Sequence, residues 1–227
     1  MTNINDTLNM SPEDLKILIT NKTKAIIPVH MLGVPAQMDE ILKIAKKNKI
    51  KVLEDNCEAV GAKFNNKYLG SIGDIGVASY DFSKTITCGE GGMIFTNNKK
   101  IFKYSKEYHD HGHENNPKFK RGEDTRSIVG FNYRMTELQA VVGKVQLDEL
   151  NFILREHKKR YLELDKVLKR KYPLRKIPNK SQIIHDTFIF FVKDKLNRNK
   201  IIKLLNKEGF GTKNLPDAIK WHCASYW

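Results

Sequence analysis

Apolar residues recur along this chain at two different spacings, and the alternation between them predicts an α/β fold. Residues 35–48 carry apolar side chains at a period of 3.6 with lysines on the opposite face, which predicts an amphipathic helix. Residues 25–29 and 50–53, on either side of it, are short apolar runs that predict buried strands. Because a strand, a helix and a second strand form a right-handed βαβ unit, we expect the two strands to pair in parallel.

The same pattern extends along the rest of the chain. Ser11 is predicted to be the N-cap of a first helix, with Pro12 at its first position and Asp14 in the capping-box place. Helices are predicted over residues 11–19, 99–108, 136–171 and 199–208, and further strands over residues 75–80, 93–96 and 183–192. Three irregular segments are also predicted. Residues 1–10 are predicted to be a surface lead-in, residues 64–73 a hairpin-like turn, and residues 114–127 a mobile polar excursion.

The composition is that of a globular protein. With 227 residues, 40% of them hydrophobic, the chain can bury a core. No apolar run approaches the roughly 20 residues that a membrane helix needs, and the polar first residues give no sign of a secretory signal. The cysteines are odd in number and have no paired spacing, which favours reduced thiols in the cytoplasm. They are Cys57, Cys88 and Cys223.

The net charge of +14 is concentrated in the last third of the chain. Residues 151–227 hold 19 Lys and Arg against 7 Asp and Glu, whereas residues 1–150 hold 21 against 19. Such a basic region suggests nucleic acid, an anionic substrate or an acidic surface as partner. Its lysines, however, are dispersed among leucines and valines at helical spacing, without aromatic-stacking or zinc-finger signatures. This dispersal favours a solvated helix face, so no nucleic acid is expected.

One lysine lies in a setting that suits covalent chemistry. Lys84 falls in a short turn between two predicted strands, and residues 79–92, SYDFSKTITCGEGG, surround it with hydroxyls and glycines. Its amine can form a Schiff base with a carbonyl cofactor, the hydroxyls can bind phosphate, and the glycines let the backbone approach a bound group. The alternative is a solvated turn lysine without a chemical role.

Asp55 makes the functional interpretation the stronger one. It ends a strand-like run, residues 51–55, and ligands of alternating α/β sheets bind outside the carboxyl ends of the strands. Asp55 and Lys84 are therefore both expected to face that crevice. Pyridoxal phosphate (PLP) needs this pair, a lysine on its aldehyde and a carboxylate against its ring nitrogen. The carboxylate keeps that nitrogen protonated, and the released lysine amine shuttles the substrate proton.

Several blocks of the sequence resemble the DegT/DnrJ sugar aminotransferases. The blocks are TKAIIPVH at residues 23–30, ED at 54–55, SYDFSK at 79–84, GEGG at 89–92 and GFNYRM at 130–135. Their order and intervals match across roughly residues 10–150, which makes the resemblance specific. It implies a fold-type I, PLP-dependent enzyme that aminates keto-sugars, usually with glutamate as the amino donor.

The resemblance also implies roles for individual residues. By position, Lys84 is the Schiff-base lysine, Asp55 the partner of the pyridinium nitrogen and Ser79 a phosphate ligand. Asn132 resembles the asparagine that reaches the phosphate of the neighbouring subunit's cofactor, which implies a homodimer with shared sites. Glu58 lies where many relatives have glutamine, and a carboxylate near the phenolic oxygen of the cofactor must be protonated or paired.

The implied architecture is a three-layer αβα sheet domain, incomplete at its N-terminus, followed by the start of a small C-terminal α+β domain. Residues 1–150 are assigned to the large PLP-binding domain, and residues 151–227 to a linking helix and the partial small domain. Because members of the family begin well upstream of the segment that matches Met10, we expect the sequence to be an internal piece of an aminotransferase. On its own it is expected to be poorly soluble or to bind PLP weakly.

Three further features leave alternatives open. His30, at the end of a predicted strand, either touches cofactor or substrate or fills a hydrogen-bonded pocket. Arg134 either binds a phosphate or carboxylate as a planar fork or pairs with Glu137. The alternating histidines of residues 109–113 suggest a metal, but an irregular loop without cysteine or a second cluster favours a substrate or interface role, and no metal is expected.

The resemblance and the basic last third of the chain together give three hypotheses for the function. The first is transamination of a keto-sugar for lipopolysaccharide or another surface glycan. Residues 110–140 resemble the branch that aminates an octulosonate (Kdo-type) sugar, and nucleotide-linked 4-keto-6-deoxy sugars are the second substrate class. The second function is a same-fold sugar dehydratase; such members carry histidine in place of the lysine, so Lys84 favours transamination. The third is a non-catalytic basic binding module.

Overall fold

The computed structural model describes residues 1–120 and 122–212, and these residues form two compact units. The first unit comprises Met1–Val167 and Arg175–Phe188, and the second comprises Leu168–Leu174 and the described residues from 189 onward. The domain boundary predicted at residue 150 falls inside the helix Glu137–Leu168. The assignment of two domains stays a prediction.

Strands and helices alternate through the first half of the chain. The strands of the described residues are β1 (Ala25–Ile26), β2 (Lys51–Asp55), β3 (Lys63–Phe64), β4 (Lys67–Tyr68), β5 (Ile75–Ser79), β6 (Gly92–Phe95) and β7 (Ser181–Gln182). The helices are α1 (Pro12–Leu18), α2 (Met38–Asn48), α3 (Lys99–Tyr108), α4 (Glu137–Leu168) and α5 (Lys195–Lys207). A short 3-10 turn, Met31–Gly33, follows β1. Each predicted helix is confirmed, with ends that differ from the prediction by up to four residues.

The central sheet has the order β1-β2-β5-β6. Its first three strands pair in parallel, as the βαβ pattern predicts, and β6 is antiparallel to β5. The apolar stripe of α2 packs on this sheet, where Met38 and Ile41 lie fully buried in one core cluster with Ile26 and Val52. Because β2 and β5 are parallel neighbours, their carboxyl ends lie side by side.

The first strand is shorter than the sequence predicts. It spans only Ala25–Ile26, and the side chain of Ile27 is half exposed. Pro28 has no N–H to donate, which interrupts the hydrogen bonds between the two strands. Its carbonyl still accepts from Asp55 N at 2.9 Å, and Val29 pairs with Asp55 as an isolated bridge.

The strand predicted over residues 183–192 is wrong. The extended segment is β7, two residues earlier in the chain, where it pairs with β3 beside the β3–β4 hairpin. His185 adopts a left-handed conformation (φ 60°), which interrupts the extended backbone that the apolar pattern favours. Ile184 is nevertheless fully buried in the same core cluster as α2.

The predicted surface lead-in is correct at Met1 and Ile4, which are exposed, but wrong in its second half. Asn9 is only 2% exposed, and its side-chain amide donates to the carbonyls of Val34 and Pro35 at 3.0 Å each. Its side-chain oxygen accepts from Met31 N at 2.9 Å. At α1, Ser11 caps the helix as predicted, but the Asp14 carboxylate accepts from Asn3 N rather than completing a capping box.

The polar segment predicted as a mobile excursion is organised around a buried carboxylate. Asp124 accepts hydrogen bonds from His113 Nδ1 at 2.9 Å, from Asn115 N at 3.0 Å and from Gly122 N at 3.3 Å. Although burial works against it, the hydrogen bond from His113 together with these backbone donors lowers the pKa of Asp124. Asp124 therefore ties His113, Asn115 and Gly122 to one carboxylate.

None of the 32 residues of the long helix α4 is fully buried. Leu150, Ile153 and Leu154 are partly buried against the core clusters. Many of its other apolar side chains are exposed, and they include Leu138, Val141, Val142, Val145, Leu147 and Phe152. No helix within residues 1–120 and 122–212 is both long enough and apolar enough to cross a bilayer.

In the second unit, α5 begins at an Asp194 cap that accepts from Asn197 N at 2.8 Å. It ends before Gly209, whose φ of 81° is typical of a helix terminator. The aromatic end of the chain, residues 221–227, and Cys223 lie outside the described residues.

Candidate functional site

Asp55 and Ser79 lie at the carboxyl ends of neighbouring parallel strands. Asp55 is the last residue of β2 and is in register with Val77 of β5, so Ser79, the last residue of β5, lies two positions further along. The Asp55 carboxylate accepts from Cys57 N at 3.1 Å, and the Ser79 hydroxyl accepts from Asp81 N at 3.3 Å. Both side chains therefore lie at the sheet edge where the sequence predicts a ligand.

The turn that follows β5 carries Lys84. Its backbone N donates to Asp81 O at 3.0 Å, and the chain then returns into β6. Glycine is required at Gly92 because a Cβ there would lie 2.8 Å from the carbonyl oxygen of Ala78 on the paired strand. The lysine side chain is 23% exposed, and its Nζ lies 4.0 Å from Glu58 Oε1. Lys84 is thus a half-buried, ion-paired residue rather than a solvated turn lysine.

Glu58 is paired on both of its oxygens, as the sequence analysis requires for a carboxylate at this position. Oε1 faces Lys84, and Oε2 accepts from the backbone N of Leu32 at 3.1 Å. The carboxylate thus connects the Lys84 turn to the Met31–Gly33 turn that follows β1.

The pKa of the Cys57 thiol is affected by Asp55, Lys84 and Glu58. Burial, followed by the hydrogen bond to Asp55 and the negative charge of Asp55, raises the pKa of Cys57 to about 12. Lys84 lowers that pKa and Glu58 raises it, so all three side chains act on the same sulfur. The thiol is protonated at neutral pH, and the chemistry of the site falls to Lys84 and the carboxylates.

His30 lies in a hydrogen-bonded pocket, the second of the two alternatives given above. It is 0% exposed, Nδ1 accepts from Ala36 N at 3.0 Å, and this leaves the Nε2–H to donate to Glu54 Oε2 at 3.1 Å. With both ring nitrogens occupied inside the protein, His30 fills a hydrogen-bonded pocket and presents no free nitrogen to a substrate.

Glu54 is the polar residue that the sequence analysis missed. Its fully buried carboxylate also accepts from the backbone N of Gly70 at 2.9 Å and of Ile72 and Gly73 at 2.6 Å each. Burial by itself raises the pKa of Glu54, but the hydrogen bonds from His30, Gly73 and Gly70 outweigh burial and lower it. The signal was the alternation of β2, which places Glu54 on the same buried face as Val52.

Arg134 and Asn132 make contacts outside the Lys84 turn. Arg134 Nη1 donates to Asp110 Oδ1 at 2.6 Å, so its partner is Asp110 and not Glu137 as one alternative held. Asn132 is exposed, forms a bridge with Asp110, and accepts from Arg134 N at 3.3 Å. A role of Asn132 at the cofactor of a neighbouring subunit and a role of Arg134 in substrate binding stay predictions.

The alternating histidines have protein partners. His113 contacts Asp124 and, through Nε2, Arg126 Nη2 at 3.2 Å, while His109 Nδ1 faces Lys106 O at 2.5 Å. In the part of the chain that the structure describes, no group of three or more His, Cys, Asp or Glu side chains is arranged to hold a metal.

The residues at the strand ends fit PLP. A half-buried amine at Lys84 suits the aldehyde, the Asp55 carboxylate suits the ring nitrogen, and the Ser79 hydroxyl suits the phosphate. Glu58 lies 4.0 Å from the lysine amine, and Asp55 accepts from the backbone N of Cys57, the residue before Glu58.

Comparison with known proteins gives consistent matches. Residues 2–222 match the DegT/DnrJ/EryC1/StrS aminotransferase family. GDP-perosamine synthase of Escherichia coli O157:H7 is 40% identical over 153 residues, which are 67% of this chain and 41% of that protein. GDP-4-keto-6-deoxy-D-mannose 3-dehydratase of E. coli O55:H7 is 34% identical over 218 residues, 90% of this chain and 56% of that protein.

A solved structure, the E. coli GDP-4-keto-6-deoxy-D-mannose-3-dehydratase with bound hydrated PLP, superimposes with a TM-score of 0.79 and 30% identity. The match covers 97% of this chain and 62% of that one. The chain thus spans between about two fifths and three fifths of the length of these three proteins.

Proposed function

The chain belongs to the DegT/DnrJ/EryC1/StrS aminotransferase family, and on that premise we propose that it carries out PLP-dependent transamination of a keto-sugar. The observation that carries the proposal is the position of Lys84. Its amine follows the carboxyl end of a parallel strand, is half-buried, and lies 4.0 Å from a carboxylate. A carboxylate and a hydroxyl end the two neighbouring strands.

Family membership confirms the resemblance found in the sequence and, with it, the fold-type I, PLP-dependent class. The mixed α/β sheet agrees with that class. Family membership does not identify the substrate, so the octulosonate branch stays a prediction.

The residues of the site have different tasks in the proposed reaction. PLP, when bound, supplies an electron sink for a C–H bond that breaks beside an amine. Lys84 binds the cofactor through Nζ and, once released, moves the proton at that nitrogen. Asp55 holds the proton on the ring nitrogen, and Ser79 binds the phosphate through Oγ. Glu58, already paired with Leu32 N, orients the lysine.

We propose a nucleotide-linked keto-sugar or an octulosonate as amino acceptor, and glutamate as donor. The name GDP-perosamine synthase, carried by a relative that is 40% identical, supports an amino-sugar product. Use of the product in lipopolysaccharide or another surface glycan, action in the cytoplasm, and a homodimer in which Asn132 serves the neighbouring site belong to the same proposal.

A dehydratase is the second candidate function. A relative with that name is similar over 90% of the chain, more than the 67% matched by the perosamine synthase. Lys84 separates the two candidates, because dehydratases of this fold are expected to carry histidine at that position. Analysis of the product decides between them, since transamination puts an amine on the sugar whereas dehydration removes a hydroxyl.

The first prediction tests Lys84. Incubation with PLP followed by borohydride should leave a stable adduct on the Lys84 peptide, which mass spectrometry detects, and Lys84→Ala should abolish both the adduct and amine transfer. Lys100→Ala, an exposed lysine at the start of α3, is the control and should change neither. A Lys84→Ala variant that transaminates at the normal rate would falsify the assignment.

A further inference from the structure

The Met31–Gly33 turn holds a residue in an unfavourable backbone conformation. Leu32 is left-handed, with φ 50° and ψ 53°, which is unfavourable for a residue with a Cβ. Such a conformation persists only when the surrounding structure fixes it. Both peptide groups of Leu32 are used, since its N–H donates to Glu58 Oε2 at 3.1 Å and its carbonyl accepts from Arg175 Nη1 at 3.3 Å.

Arg175 joins this turn to the beginning of the chain. Its Nε donates to the carbonyl of Thr7 at 2.6 Å, while Nη1 reaches Leu32. Asn9, two residues after Thr7, accepts from Met31 N on the same turn. The guanidinium and Asn9 therefore clamp the Met31–Gly33 turn against residues 7–9.

The guanidinium is buried to a degree that is rare for arginine. Arg175 is 7% exposed, and its Nη2 has no hydrogen-bond partner among the described residues. Burial lowers the pKa of Arg175 to about 10, and the charges of Tyr161, Glu58 and Asp186 oppose that change. The side chain remains a cation at neutral pH and lies within electrostatic reach of Glu58.

We propose that Arg175 is a positioning residue that acts on Lys84 through Leu32 and Glu58. By holding the Leu32 carbonyl it aims the Leu32 N–H at Oε2 of Glu58, and this contact fixes Oε1 of Glu58 beside Lys84 Nζ. The catalytic meaning of the arrangement rests on the proposed function, but the arrangement itself can be tested without cofactor. A merely structural role, in which Arg175 only ties residues 7 and 32 together, is the alternative.

The test is a double-mutant cycle between Arg175→Gln and Glu58→Gln in the cofactor-free protein. The readout is the rate at which acetic anhydride acylates Lys84, measured by mass spectrometry of its peptide. Because pairing with Glu58 withdraws the amine from the reagent, each single variant should raise that rate about threefold, the size expected for a partly exposed ion pair. The double variant should be no faster than Glu58→Gln alone.

Two results would overturn the proposal. One is an Arg175→Gln effect that persists in full in the Glu58→Gln background, and the other is an unchanged Lys84 rate in Arg175→Gln. Arg155→Gln, which removes an exposed arginine of α4, is the matched control and should leave the rate unchanged.

A milder variant keeps the proposal testable if Arg175→Gln does not fold. Arg175→Lys keeps the buried charge but lacks the fork that reaches two carbonyls. Hydrogen exchange at the Leu32 amide should then be about tenfold faster than in the parent, the order of a single lost contact, and unchanged exchange contradicts the proposal. Neither readout uses PLP, so failure of the Lys84 adduct experiment overturns the proposed function while leaving this result interpretable.

Discussion

Glu54 and Val141 lie in the same compact unit and have opposite environments. Glu54 is a charged residue that is fully buried, with four hydrogen bonds to its two oxygens. Val141 is an apolar residue on α4 that is 62% exposed. The buried carboxylate of Glu54 is satisfied by partners within the chain, whereas α4 leaves apolar surface that the described residues do not cover.

The contrast separates two kinds of requirement. The strand ends hold Asp55, Glu58 and Lys84 through contacts within this chain, so the geometry of the site is set locally. An exposed apolar face on one helix is typical of a surface that another element or subunit covers. The predicted homodimer agrees with such a face, and the predictions below test each side of the contrast, from the largest expected effect to the smallest.

Asp55→Asn should have the largest effect. The substitution keeps the shape of the side chain but removes the charge proposed to hold the ring proton of PLP. We expect kcat to fall about a thousandfold, as for the loss of a preorganised electrostatic group, with little change in the free energy of unfolding. Asp148→Asn, an exposed residue of α4, is the control and should be kinetically silent. Normal turnover of Asp55→Asn would reduce Asp55 to a structural carboxylate.

Glu54→Gln should lower the free energy of unfolding by about 3 kcal/mol, because breaking a buried pair leaves unsatisfied groups behind. The amide would put an NH₂ group against backbone N–H donors such as those of Ile72 and Gly73. Chemical denaturation at neutral pH measures the difference, with Glu149→Gln on the surface of α4 as the control. A loss of less than about 0.5 kcal/mol, the range of ordinary surface changes, contradicts this account.

The stability difference between the parent and Glu54→Gln should depend on pH. The pKa of Glu54 lies below its ordinary value of 4.5 in the folded protein, so the stability that it contributes is complete above that value. It is lost as the pH falls through the lowered pKa, where the carboxylate takes up a proton. The stability difference between the parent and Glu54→Gln should therefore shrink below pH 4.5. A difference that stays constant down to the acid unfolding of the parent argues against this contribution.

The smallest effect on stability is expected on α4. Replacing Val141 and Val145 by Gln should change the free energy of unfolding by less than about 0.5 kcal/mol each, because both side chains are exposed. Sedimentation at several concentrations should show weaker self-association, and Lys144→Gln on the same helix should leave it unchanged. Leu154→Ala, which is partly buried against the core, should instead cost about 2 kcal/mol. Equal costs at Val141 and Leu154 would remove the contrast.

The regular elements were predictable where one signal dominated. The period of α2 and the apolar runs of β2 and β5 are local, so the sequence alone predicts the βαβ unit and its parallel pairing. The strand over residues 183–192 failed because His185 takes a left-handed conformation that apolar alternation does not reveal. The prediction of a surface segment over residues 1–10 failed at Asn9, because the burial of Asn9 depends on carbonyls of Val34 and Pro35 that only the tertiary fold brings near.

The sequence predicts those residues of the candidate site that lie at the end of a strand or in the turn that follows it. Asp55, Ser79 and Lys84 follow from strand ends and from the family motifs, and the structure places all three at one edge of the sheet. The pocket of His30 and Glu54 required a view of side chains packed between β2 and residues 70–73. Arg175 gave no signal at all, because a buried arginine and an exposed one look alike in a sequence.

The hydrogen bond from Arg175 to Thr7 has a consequence for how the protein is made. Its two residues are 168 positions apart in the chain. At a synthesis rate of 5–20 residues per second, Thr7 is added to the chain about 10 to 30 s before Arg175. Throughout that interval Leu32 has no guanidinium on its carbonyl, so the nascent sheet can form while the turn above Glu58 stays open. The clamp is therefore a late event of biosynthesis, and a ribosome stalled shortly before residue 175 should hold a folded βαβ unit without it.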